Sequence, residues 1–150
     1  MHETGTKGDI GVSMVTADLL SQGLEVLEPV SSCSPFDLVV LHNSRWFKVQ
    51  VKYAAKKNGS IVARIRRAIV ANSRITRRNA NEDEVDVAAI YCPDTRECYY
   101  AVAKDFNYNI LLRIDPSPRT GSSRTKHRAS DYRKFPLPID AGGLVPGTAP

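Results

Sequence analysis

Nowhere does an apolar run approach the roughly 20 residues that a spanning helix requires, and the polar opening Met1 to Asp9 lacks the apolar stretch of a secretory leader. These absences predict a protein of the cytoplasm that does not enter a membrane. Cysteine is scarce. Cys33, Cys92 and Cys98 cannot all pair within one chain, so they are expected to be reduced core thiols. His2, His42 and His127 are scattered, and Cys92 and Cys98 flank one turn, so zinc-type ligand spacing is missing. A Gly-rich phosphate loop and a Gly-x-Ser-x-Gly elbow are missing too. Structural zinc, nucleotide hydrolysis, acyl transfer and an organic cofactor are left without local support.

What is present suits one domain. A chain of 150 residues with 42% hydrophobic content can bury a real core but is too short for two ordinary domains. The expected domain spans residues 1–140. The Gly- and Pro-containing stretch 141–150, without periodicity, is expected to be a disordered tail. The net charge of +5 is unevenly placed. Between Asp37 and Glu82 there is no acid, while 11 of the 21 bases fall there. A second basic cluster runs from Arg119 through Arg124, Lys126, His127 and Arg128 to Lys134. Segregated base of this kind suits a polyanionic partner.

Hydrophobic spacing predicts an amphipathic helix over 10–20, with Asp9 as its N-cap and Gly23 ending it. Short strands are expected at 24–27 and 36–41. A polar turn, His42 to Arg45, leads into a strand over 46–53 that alternates with period two. There Phe47, Val49, Val51 and Tyr53 point one way, and Trp46, Lys48, Gln50 and Lys52 the other. After the Lys56-Lys57-Asn58-Gly59 turn, 60–67 reads as a strand with Val62, Arg64 and Arg66 on one side. Residues 72–83 are polar and irregular. Further strands are expected at 85–91, 98–103 and 110–114, and 116–134 reads as a basic loop or arm.

Arginines two apart on a ribbon share a face and can enter a major groove together, where the guanidinium fork matches guanine O6 and N7. Arg64 and Arg66 are therefore candidate groove readers. Lys56, Lys57 and Arg67 are candidate phosphate contacts, and Arg74, Arg77, Arg124, Lys126 and Arg128 extend the candidate DNA surface.

The chemistry-bearing pattern is Pro35-Phe36-Asp37 opening one strand and Gln50-Val51-Lys52 closing the next. A hairpin of this length can bring the three polar residues together. A carboxylate anchors a hard cation such as Mg²⁺, for which Mn²⁺ or Ca²⁺ can substitute. A second oxygen, from Gln50, completes part of the shell. The ammonium of Lys52 can orient the attacking water and offset charge on the phosphorane-like transition state.

At these residues the sequence resembles the PD-(D/E)XK superfamily. Lys7-Gly8 and Gly23 are similar to the opening of archaeal Holliday-junction resolvases. A closer resemblance, over roughly 7–135, is to cyanobacterial group I intron-encoded homing endonucleases. It runs through Lys7-Gly8-Asp9-Ile10-Gly11, Pro35-Phe36-Asp37-Leu38, Val49-Gln50-Val51-Lys52, Asn58-Gly59-Ser60, Glu84-Val85-Asp86 and Ile90-Tyr91-Cys92-Pro93. The resemblance implies an α/β restriction-endonuclease-like core. Its mixed central sheet would be flanked by helices and carry a basic β-ribbon and a basic C-terminal arm. It also implies Asp37, Gln50 and Lys52 as catalytic residues, with Asp37 and Gln50 on the metal. The substrate would be double-stranded DNA, cut on both strands at a long pseudo-palindromic site by a homotetramer, a dimer of dimers.

Two positions depart from the superfamily pattern. Val12 stands where a helix glutamate is frequent, and Gln50 replaces an acid with a neutral amide. Asp9, about one turn earlier on the helix, is the nearby acid that could compensate. Two other functions share these residues: a structure-specific, resolvase-like nuclease, and a DNA-binding module of the same fold without catalysis.

Overall fold

The helix marked in the sequence begins well before its apolar stretch: α1 spans Glu3–Ser21. In this computed structural model the described residues are 3–65, 85–106, 109–116 and 127–136. The irregular segment expected at 72–83 and the tail expected at 141–150 lie outside them. Lys7 and Glu3 form an i,i+4 ion pair at 2.6 Å across the added first turns. Asp9 is consequently an exposed residue inside the helix, which corrects its expected place as N-cap. The other end is as expected. Gly23 sits at φ +80, its N–H reaches Leu20 O at 2.9 Å, and Leu24 N–H reaches Leu19 O at 3.2 Å, a Schellman stop.

Five strands form the central sheet in the order β1-β2-β3-β5-β6. They are β1 (Glu25–Leu27), β2 (Leu38–His42), β3 (Arg45–Tyr53), β5 (Val87–Cys92) and β6 (Glu97–Val102). Neighbours are antiparallel except β3 and β5, which run parallel, so the sheet is mixed as expected. The β2–β3 hairpin closes through Asn43 and Ser44 at φ 49 and 61. Both values are positive, as in the type I′ turn that matches strand twist. A separate two-stranded ribbon pairs β4 (Ser60–Arg64) with β7 (Asn109–Arg113). A second turn with two positive φ values, Asn58 at 51 and Gly59 at 76, leads into β4.

The alternation read from the sequence sorts the sheet into two faces. Phe47 and Val49 join Val15, Leu19, Leu38, Val40, Val87, Ala89 and Tyr100 in one buried cluster beneath α1. Helix and sheet approach closely there: a Cβ on Gly11 would stand 3.4 Å from Val51 Cγ1. The opposite face, through Ala88, Ile90, Tyr99 and Ala101, packs against Ile61, Ala63, Ile110 and Leu112 of the ribbon. Among the described residues, then, helix covers one side and ribbon the other.

Part of the expected basic arm is folded. Ala129–Tyr132 is a short 3-10 turn, and Phe135 is buried against Phe47 and Tyr100. Its anchor is Gln22, whose Oε1 accepts the Phe135 N–H at 2.9 Å. Apolar residues flank the basic ones here, so the segment docks instead of extending. Cys92 and Cys98 are buried free thiols as expected, but Cys33 is exposed, because the Ser- and Pro-rich loop around it lies outside the core.

Candidate active site

β2 begins where the chain leaves the Ser-Pro loop, and Asp37 is the residue just before it. The Asp37 N–H donates to Val49 O at 2.9 Å, and its Oδ2 accepts the Val51 N–H at 2.6 Å. Beyond Leu38↔Val49 the hairpin ladder has ended, so the Val51 amide lacks a backbone acceptor on that side and the carboxylate takes it. Val51 is the residue between Gln50 and Lys52. The structure therefore brings Asp37 to the centre of the Gln50-Val51-Lys52 triplet, and Oδ1 is left out of that bond.

Gln50 and Lys52 leave β3 on the face away from α1, level with Ala88 and Ile90 of β5. Gln50 is 8% exposed, and its Oε1 is buried without a hydrogen-bond partner. Such an orphan costs about 1–3 kcal/mol. A buried amide oxygen lacking a partner, one residue from an amide clasped by a carboxylate, is a donor set that fits a hard divalent cation. The set is poor in charge. Among the described residues no three His, Cys, Asp or Glu side chains converge as a metal cluster.

The helix does not add an acid. Val12, at the position where a glutamate is frequent, is half-buried against the cluster beneath α1. Asp9 is exposed, and at two residues from Gly11 it lies about 200° around the helix from the stripe on the sheet. The structure does not bring Asp9 to the Asp37 centre.

Asp86 holds the other edge of β3. Its Oδ2 accepts the Lys48 N–H at 2.7 Å and its N–H donates to Lys48 O at 2.9 Å. The sequence shows Asp86 only as part of a motif; this contact joins residues far apart in the chain and has no local signal.

The candidate DNA-contacting residues divide. Arg64 and Lys57 are exposed on the ribbon and its turn, and Arg128 is exposed beside β7, where it bridges to Arg113. Lys56 differs. Its Nζ pairs with Asp115 at 3.1 Å and its N–H donates to Asp94 Oδ2 at 2.6 Å, so it fastens the ribbon turn to the sheet. Arg66, Arg67, Arg74, Arg77, Arg124 and Lys126 lie outside the described residues. A residue the sequence reading missed is Arg113. Its guanidinium donates to Asn58 O at 3.1 Å and Asp115 O at 2.9 Å, closing over Gly59. No described helix is long and apolar enough to cross a membrane.

The mixed sheet with its helix is matched by comparison with known families. The family profile for "PD-(D/E)XK endonuclease" matches residues 2–135, and the chain belongs to that family. It is an endonuclease by class, in a family that generally uses divalent metal ions. Among solved structures it is similar to a bacterial homing endonuclease, I-Ssp6803I. The two share 25% identity and a TM-score of 0.60, over 89% of this chain and 88% of that one. No curated protein matches the sequence.

Proposed function

We propose that this chain is a site-specific homing endonuclease. It hydrolyses phosphodiester bonds of double-stranded DNA in a metal-dependent reaction, making a double-strand break at a long pseudo-palindromic site. The observation that carries the reading is the buried, partnerless Oε1 of Gln50 beside the amide held by Asp37. Folding tolerates such an atom where a ligand completes it.

Asp37 Oδ1 and Gln50 Oε1 would hold the ion, with Mg²⁺ the best match to an all-oxygen set and Mn²⁺ or Ca²⁺ as substitutes. When bound, it supplies Lewis-acid polarisation of the phosphate and a water of lowered pKa. The chain's own contributions are separate. Asp37 fixes the Gln50-Val51 peptide and with it the aim of the Gln50 side chain. Lys52, half-buried on the same face of β3, puts an ammonium where charge accumulates on the phosphorus oxygens and where the incoming water must be oriented. With one carboxylate, the site depends on DNA phosphate oxygens to complete the ligand shell. Arg64, Lys57 and Arg128 hold the duplex by groove and phosphate contacts.

A double-strand break needs two copies of a centre that cuts one strand, and a pseudo-symmetric site matches two-fold protein symmetry. That requires at least a dimer; the homotetramer, a dimer of dimers, is what the resemblance to homing endonucleases implies, and it would act in the cytoplasm. A competition assay with Mg²⁺ tests the function. Linear duplexes from a randomised library are mixed with four-way junctions, and cut products are sequenced. Cuts confined to one sequence family of linear duplex are expected. Preferential cutting of junctions would replace the reading with a resolvase, and tight duplex binding without product would replace it with a binding module.

A further inference from the structure

The outer face of the β4–β7 ribbon carries an apolar pair that the nuclease chemistry does not use. Val62 and Leu111 are register partners, exposed to 50% and 52%, while the alternate residues Ile61, Ala63, Ile110 and Leu112 fill the core. On the solvent side of an antiparallel ribbon, polar residues are the rule. One row along, Arg64 is exposed opposite Asn109. One row the other way, Arg113 pairs with Ser60 and bridges to the exposed Arg128. The apolar pair is thus bracketed by cations along the ribbon. A surface complementary to that pattern is anionic at its margins and apolar between them. Duplex DNA offers this in its major groove, where phosphates flank base edges and thymine alone presents a methyl group.

We propose that Val62 and Leu111 read thymine, packing on C5-methyl groups in the major groove. Successive outward rows on a strand are about 6.7 Å apart. That equals about two base steps of 3.4 Å. The thymines therefore fall about two base pairs from the base contacted by Arg64. This assignment rests on the reading, given above, that the ribbon lies on duplex DNA.

The test uses the full chain and two kinds of DNA. Wild type and the Val62→Ser/Leu111→Ser variant each select sites from randomised duplex. Wild type is expected to show a thymine preference at one or two positions, which the variant loses while its other preferences remain. Replacing those thymines by deoxyuridine removes only the methyl. It should weaken wild-type binding about fourfold per methyl and leave the variant's binding unchanged. The deoxyuridine measurement on wild type requires no variant to fold. Equal wild-type affinity for thymine and deoxyuridine overturns the assignment, as does a thymine preference that survives in the variant. So does a changed oligomer mass in the variant with base preferences intact, which would make the pair a protein contact. Arg64→Ala separates the two readings: if it weakens duplex binding while the methyl has no effect, only the thymine assignment fails. If wild type shows no salt-dependent duplex binding, both fail.

Discussion

Two polar groups of the central sheet, one on each face, are treated in opposite ways. Beneath α1 the Tyr100 hydroxyl donates to Asp18 Oδ2, and the same oxygen accepts from Gln22 Nε2 at 2.9 Å. On the other face Gln50 Oε1 is buried and has no partner. The Tyr100 hydroxyl is finished by folding alone, although Thr16 Oγ1 on α1 is itself buried without a partner. The Gln50 oxygen is left for a ligand to finish, as the proposed metal site requires.

That contrast breaks most visibly at Asp37. Asp37→Asn keeps an oxygen for the Val51 amide but removes the charge, so DNA cleavage with Mg²⁺ should fall about a hundredfold or more. Urea unfolding should shift by less than about 1 kcal/mol. A loss of stability to match the loss of activity would make Asp37 a structural residue. Gln50→Leu is the next in size. Removing the orphan oxygen from a site of similar shape should raise stability by about 1 kcal/mol while cleavage drops at least about tenfold. A destabilised variant would mean that Gln50 is satisfied in the folded chain.

The helix side should respond to pH and not to metal. Burial, the largest cause, pushes the Cys98 thiol from its ordinary 9.0 up to about 12. Tyr100 is also raised, first by burial and then by its bond to Asp18. These groups stay protonated in the folded chain while the unfolded chain loses protons. Stability is then whole below about pH 9 and should fall as pH rises through about 12. Urea midpoints at pH 8 and pH 11 check this, and equal midpoints would contradict it. The smallest effect belongs to Tyr100→Phe, which should cost about 1–2 kcal/mol and leave cleavage unchanged. A cleavage defect there would couple the two faces.

The sequence exposed one side of this contrast better than the other. Period-two alternation in 46–53 separates Phe47 and Val49 from Gln50 and Lys52 without help, because strand side chains alternate whatever they pack against. The strand-end Asp37 was legible through the family pattern, and the Gly23 stop through local backbone chemistry. The start of α1 was not. Residues 3–9 have no apolar periodicity, and all of them are exposed, with the Glu3–Lys7 pair on their surface. Asp9, taken as a cap, therefore fell inside the helix. Lys56 looked free in a basic run because its partners, Asp94 and Asp115, are distant in sequence. The β4–β7 pairing is equally non-local, and so is the burial that leaves Gln50 Oε1 alone.

The parallel pairing of β3 with β5 has a kinetic consequence. The β2–β3 hairpin closes through a two-residue turn, so Asp37 can meet the Val51 amide on the microsecond scale of hairpin formation. β3 meets β5 only across the long excursion that separates Val49 from Val87, and such loop closure comes slowly. The carboxylate is in position early, and Gln50 is sealed from water late. In refolding followed by stopped flow, hairpin contacts reported by Trp46 should precede acquisition of cleavage activity. A chain emerging from the ribosome would then have no working nuclease until its last sheet strands were in place.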